Sequence, residues 1–486
     1  MTVATEAVHT AAGLASGLLV DGEWLTTEST FGVVDPATGE MLAQVADASV
    51  EQGIAALDSI NNAAAGWAGV PSRDRGEILR RAFDALKAQR EDFARLISAE
   101  MGKPLAEARA EVDYGAEFLR WYSEEAVRLE GDYRVSPDGG SRLLISRRPI
   151  GPCLLITPWN FPLAMATRKI GAALAAGCTA IVKPAGQTPL TTIKFAQLLL
   201  DAGLPKGVLN VVTTTGSGRL SGALLADGRI RKISFTGSTG VGRLLISQCG
   251  QNIVRPSMEL GGNAPFIVDA DADVARAVDG AMVAKMRNMG EACTAANRFL
   301  VHSAVIDEFS TLFAERMGTL TVGHGLDSDT QVGPVIDDAA RNTLSALVED
   351  AVERGAEIRT GGHAIDGPGT FFEPTVLTGV PVESRMFGEE IFGPIAGVTA
   401  FDDLDEAVRL ANSTEYGLAA YLYSNNVERS LRTAERLDFG MVGLNRAIVS
   451  NAAAPFGGIK QSGLGREGGR EGINDYLDLQ YVAIDA

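Results

Sequence analysis

Three residues in this chain have side chains suited to acyl chemistry, and each also has an ordinary explanation. Cys293 sits in GEACTAANR, a thiol among small residues that either attacks a carbonyl as thiolate or fills space as a small hydrophobe. Glu259, in MELGGN, follows an apolar run and enters a glycine-rich turn, where a carboxylate acts as general base or as a cap. Asn160, in TPWNFP, places an amide donor in a proline-rich loop at a strand's end, to bind an oxyanion or to hold the loop. The segment FTGSTGVG, Phe235–Gly242, lies between a strand-like and a helix-like stretch. Its glycines let backbone approach a ligand, and a helix N-terminus offers free N–H groups to phosphate. The spacing is G-x-x-G-x-G, however, and an ordinary glycine turn explains it as well. Asp269, Asp271 and Asp273 resemble the start of a calcium loop, but Val274 and Gly280 stand where that loop needs Gly and Glu. They read as turn and N-cap residues of the next helix.

The elements that must hold these residues follow from hydrophobic patterning. Residues 154–157, 180–183, 208–212, 232–236 and 265–268 are short apolar runs rich in β-branched residues. Ala-rich amphipathic stretches, such as 191–202 and 274–288, separate them. That alternation predicts an α/β fold of parallel sheets covered by helices. Of 55 glycines, many directly follow the strand-like runs, as an open α/β site requires. The polar stretch 131–141 is the best candidate for an excursion from the first domain.

Composition removes several function classes. A chain of 486 residues exceeds the size of one core, so two or more domains are expected. A net charge of −18 opposes binding to nucleic acid or to an anionic membrane surface, so an anionic substrate needs locally gathered arginines. Cys153, Cys178, Cys249 and Cys293 form no CxxC pair, and His9, His302, His324 and His363 are scattered, which predicts no disulfide framework and no metal site. The first basic residue is Arg73, so a signal peptide is not expected, and the uncharged run 149–167 holds four prolines, so a membrane span is not expected either. A cytoplasmic protein is the expectation.

Taken together, the segments resemble the aldehyde dehydrogenase superfamily over nearly the whole chain. The matching pieces come in family order: TPWNFP, KPA (183–185), FTGSTGVG, MELGGN, the Cys293 segment, EIFGP (390–394) and PFGGIKQSGLGREG (455–468). The resemblance implies a Rossmann-like cofactor domain (1–125 and 147–257), an α/β catalytic domain (258–455) and a small oligomerisation arm (126–146 and 466–486), in a homodimer or homotetramer. It implies Cys293 as nucleophile, Asn160 with the Cys293 N–H as oxyanion donors, and Glu259 as activator of water. For the cofactor it implies Thr157, Pro158, Trp159, Lys183, Ala185, Gly186, Gly237, Ser238, Gly261, Glu390 and Phe392.

Within the superfamily, MATRKIGAALAAGC (165–178), AKMRNMGEAC (284–293) and the stretch from GLAAYLY (417–423) onward look like succinate-semialdehyde dehydrogenases, enzymes of GABA degradation. That resemblance makes Arg168, Arg287 and Ser450 candidates for holding a distal carboxylate, and a guanidinium pairs a carboxylate bidentately. A structural ion pair is the alternative for either arginine, and Lys169 is an alternative to Arg168. Three positions depart from the pattern. Gly186 stands where many NAD-dependent relatives carry Glu, which favours NADP with NAD as the alternative. Glu291 replaces a common Gln, and if it faces the site it raises the Cys293 pKa. Ala295 stands where some succinate-semialdehyde enzymes carry a second Cys. The expected activity is oxidation of succinate semialdehyde. Rival expectations are another semialdehyde such as glutarate semialdehyde, a CoA-acylating enzyme, and a catalytically dead binding homologue.

Overall fold

The short apolar runs become strands whose alternate residues feed two different cores. In the strand Cys153–Ile156, Cys153 and Leu155 join one hydrophobic cluster while Leu154 and Ile156 join another. The period of two therefore places a core on each face of one sheet. The structure, a computed structural model, describes residue 11 and residues 13–485. His9 lies outside these residues.

The first sheet has eight strands. Its centre is five parallel strands, in spatial order Arg255–Glu259, Lys232–Thr236, Cys153–Ile156, Ala180–Lys183 and Leu209–Val211. Antiparallel strands flank it, Gly463–Leu464 on one edge and Leu18–Val20 with Glu23–Leu25 on the other. The second sheet has seven strands, centred on Ala264–Val268 and Ala296–His302. It splits its faces the same way: Phe266 and Val268 pack on one side and Ile267 on the other.

Five helices matter for the site: α1 (Leu105–Glu125), α2 (Ala164–Ala176), α3 (Ser217–Ala226), α4 (Thr239–Asn252) and α5 (Val274–Met286). Asp273 caps α5 by accepting from the Arg276 N–H at 3.1 Å, and Asp269 and Asp271 pair with Arg429, so all three aspartates take the turn and cap roles the sequence suggests.

The polar stretch at 131–141 is the strand Asp132–Val135 and the turn that returns it along Ser141–Pro149. Leu477–Asp485 adds a third antiparallel strand. Tyr133, Leu479 and Tyr481 on this sheet are 61 %, 66 % and 58 % exposed. Glu467, which lies in the stretch expected to belong to this arm, is instead buried against the first sheet, where Ser234 donates to it at 3.2 Å. No helix among the described residues is long and apolar enough to cross a membrane, and no cluster of metal-ligating side chains occurs among them.

Candidate active site

The carboxyl ends of the parallel strands in the first sheet deliver most of the site, as open α/β sheets do. Cys153–Ile156 runs into the loop of Pro158, Trp159 and Asn160, Lys232–Thr236 into Gly237 and Ser238, and Arg255–Glu259 ends on Glu259 itself. Opposite them, Cys293 lies in the loop between α5 and the strand Ala296–His302. A cavity of about 220 Å³ joins these loops. Cys293, Glu259, Asn160, Arg168, Arg287, Ser450, Pro158, Trp159, Gly237, Ser238, Gly261, Glu390 and Phe392 all border it. Thr157, Lys183, Ala185 and Gly186 do not. They form a neighbouring group, in which the Thr157 N–H donates to the Lys183 carbonyl at 3.2 Å.

The loop that bears Cys293 is held under constraint. Asn288 and Met289, just before it, have φ of 54° and 58°, a left-handed conformation that costs about 1–3 kcal/mol for residues other than glycine. Gly262 packs its Cα against the Cys293 carbonyl so closely that any side chain there would strike it. Burial pushes the Cys293 thiol up to about 12, with Glu390 and Glu259 adding to the rise while Arg168 and Arg287 oppose it. The thiol nevertheless borders the cavity, so what fills the cavity governs how far that shift persists. Glu291 does not face the site. Its Oε1 accepts from the Ile336 N–H at 3.1 Å, and burial raises its carboxyl well above the usual range. Its contribution to the site is its carbonyl, which accepts from Asn160 Nδ2 at 2.9 Å and from Asn288 Nδ2 at 2.8 Å.

That contact uses one of the two N–H bonds of the Asn160 amide and leaves the other for a ligand. The loop itself is pinned from below. Lys103, fully buried, donates to the Asn160 carbonyl at 2.7 Å and pairs with Glu111 at 2.5 Å. Glu111 in turn accepts from the Leu163 and Ala164 N–H groups that begin α2.

Glu259 has an Oε2 with no hydrogen-bond partner. Burial raises its carboxyl well above the ordinary range, repulsion from Glu467 adds to this, and Arg168 and Lys169 pull the other way. A carboxyl whose proton affinity is raised by burial and that borders a cavity is suited to general-base work. Arg168 and Lys169 on α2 both pair with Glu467. Burial alone would raise the Glu467 pKa, but the two cations outweigh it and bring it down to about 2. Arg168 is thus held by an ion pair, yet its Nη1 has no partner. Among the described residues no carboxylate pairs with Arg287. It lies over the rings of Tyr114 and Phe161, at 5.3 and 5.2 Å, and donates weakly to Ser450 Oγ at 3.5 Å.

A dinucleotide fits what surrounds this core. Ser238 opens α4 without a side-chain cap, leaving the first N–H groups of that helix for an anion. Thr157 Oγ1 and Thr236 Oγ1 are buried without partners. Glu390 accepts from the Gly262 N–H at 3.0 Å, and burial lifts its carboxyl to about 7. Phe392, at a φ of 52°, meets Trp159 edge-on at 5.3 Å. Lys183 donates to Ser217 Oγ at 3.0 Å at the start of α3, and burial lowers its ammonium to about 8. An aldehyde dehydrogenase family model matches residues 24–482.

The chain belongs to the aldehyde dehydrogenase family. It is 59 % identical over 444 residues, 91 % of this chain and 99 % of the relative, to a succinate-semialdehyde dehydrogenase of Paenarthrobacter nicotinovorans. It is 45 % identical to a glutarate-semialdehyde dehydrogenase of Pseudomonas putida, covering 96 % of this chain and 97 % of that one. Among solved structures, an E. coli NADP-dependent enzyme superposes with a TM-score of 0.96 at 44 % identity, over 97 % of this chain and 98 % of that chain.

Several neighbours of the aldehyde dehydrogenase site had no role in the sequence reading. Phe161, Phe456 and Glu467 lie inside recognised segments, so proximity to a motif was a usable signal. Tyr114 and Lys103 come from α1 and the turn before it, where no motif points to them.

Proposed function

We propose that this aldehyde dehydrogenase oxidises succinate semialdehyde to succinate with NADP, through a thioester on Cys293. The observation that carries the reading is Arg287, a guanidinium without a carboxylate partner among the described residues, bordering the same cavity as the thiol. In an acidic protein an unpaired cation beside a nucleophile is an attractive seat for a substrate carboxylate. Arg168, through its unpartnered Nη1, and Ser450 complete that seat. The Cys293 thiolate attacks the aldehyde carbonyl, and the free N–H of Asn160 with the Cys293 N–H stabilise the oxyanion. NADP, when bound, supplies the hydride acceptor. Glu259 then removes a proton from water as it attacks the thioester, releasing the acid. Thr157, Pro158, Trp159, Gly237, Ser238, Gly261, Glu390 and Phe392 would hold the cofactor, with Lys183, Ala185 and Gly186 assigned to its adenosine ribose side. Retention of Glu259, Cys293 and Asn160 favours hydrolysis over CoA acylation and over an inactive homologue.

The same reading places the protein in the cytoplasm, in GABA degradation, as a homodimer or homotetramer with cofactor, catalytic and oligomerisation units. The exposed apolar residues of the three-stranded sheet support the oligomer. Initial rates of NADPH and NADH formation with succinate semialdehyde, glutarate semialdehyde and butanal test the proposal. Succinate semialdehyde with NADP is expected to give the highest kcat/KM. Preference for butanal would overturn the carboxylate, and preference for NAD would overturn the cofactor.

A further inference from the structure

Tyr114 has a position that none of the assigned roles explains. On α1 it borders both the reaction cavity and a separate outer cleft, as Ser450 does. Its ring carries the Arg287 guanidinium at 5.3 Å and meets Phe118 edge-on at 5.0 Å, so its face and edge are both fixed. Arg168 lies over the same Phe118 at 5.8 Å, and the Tyr114 phenol is near enough to act electrostatically on it. The ring is therefore fixed beneath Arg287 and beside Phe118, the residue borders the cavity, and its hydroxyl has no hydrogen-bond partner among the described residues. Two buried core tyrosines find partners for their hydroxyls, Tyr421 by donating to the Thr294 carbonyl at 2.8 Å and Tyr122 by accepting from the Gly468 N–H, although the buried Tyr476 hydroxyl has none. Packing alone would be served equally well by phenylalanine.

We infer that Tyr114 is a specificity-determining residue whose hydroxyl donates a hydrogen bond to the carboxylate of the substrate, at the mouth between the outer cleft and the thiol cavity. The inference rests on the proposed carboxylate-bearing substrate. An ionised acceptor makes this bond strong, and a site that offers a hydrogen bond at one point discriminates against a ligand lacking the partner. Tyr114→Phe keeps the ring beneath Arg287 and removes only the hydroxyl. The kcat/KM ratio of succinate semialdehyde to butanal is expected to fall about tenfold, chiefly through KM for the semialdehyde. Succinate, as a product inhibitor, is expected to lose affinity by a similar factor. An unchanged ratio, or equal losses on both aldehydes, would overturn the inference and return Tyr114 to packing. Failure of the underlying function reads differently, because the wild-type protein would then show no preference for the semialdehyde over butanal.

Discussion

The two arginines of the cavity are built in opposite ways. Arg168 is locked by Glu467, shares that carboxylate with Lys169, and is 1 % exposed. Arg287 is half-buried and, among the described residues, is steadied by two aromatic rings and a long contact to Ser450. An ion pair fixes a guanidinium at the cost of satisfying part of it. Stacking fixes its plane while leaving its N–H edge for a ligand. The alternatives of structural ion pair and substrate ligand therefore do not exclude each other at Arg168, which is anchored through Nε and retains an unused Nη1.

The sharpest way to break this contrast is Glu467→Gln. It leaves two buried cations without a counter-charge, and loss of one partner of a buried pair costs about 3–5 kcal/mol. A large fall in Tm is expected by calorimetry, and the Tm of Arg287→Met should move little by comparison. The wild-type protein should also show the pair in its acid titration. The folded pKa of Glu467 lies below its ordinary 4.5, so its stabilisation is complete above that pH and fades as pH falls towards about 2. Denaturant midpoints measured across this window should drop for wild type and stay flatter for Glu467→Gln. Equal pH slopes in the two proteins would show that Glu467 is not the group responsible.

Arg287→Met gives the complementary effect. Removing a charge-assisted bond to the substrate is worth about 2–3 kcal/mol, so KM for succinate semialdehyde should rise about 100-fold. Butanal should be far less affected. A loss shared equally by both aldehydes would assign Arg287 to holding the cavity walls.

Much of this arrangement could be read from the residues, and what could not has a common physical cause. Strands such as Ala180–Lys183 and Lys232–Thr236 match their expected bounds because short runs buried on both faces admit little else. The loops bearing Cys293, Glu259 and Asn160 were legible because glycine, proline and a chemically active side chain coincide there. Side-chain direction was not. Glu291 is two residues from the thiol, yet the Ile336 N–H, distant in sequence, turns it away. Lys103 and Tyr114 were hidden for a related reason: a buried cation in the turn before α1, or a cavity-facing tyrosine on α1, carries no motif that separates it from core. Only the fold decides which of those residues meets the Asn160 loop.

The smallest expected effect concerns the cofactor end of the molecule, which has its own contrast between a fixed and an open position. Lys183 is fixed by Ser217, whereas Gly186 has open space, with only the Phe31 ring at 3.7 Å from where a Cβ would stand. Its backbone is also free of the left-handed conformation that would penalise a side chain. Gly186→Glu should therefore fold normally, with stability within about 0.5 kcal/mol of wild type. The new carboxylate would repel a 2′-phosphate and offer hydrogen bonds to unmodified ribose hydroxyls. The ratio of kcat/KM for NADP to that for NAD should fall about tenfold, or roughly 1.4 kcal/mol. An unaltered ratio would place the discriminating contacts elsewhere, with Lys183 and Ser217 at the N-terminus of α3 the next pair to vary.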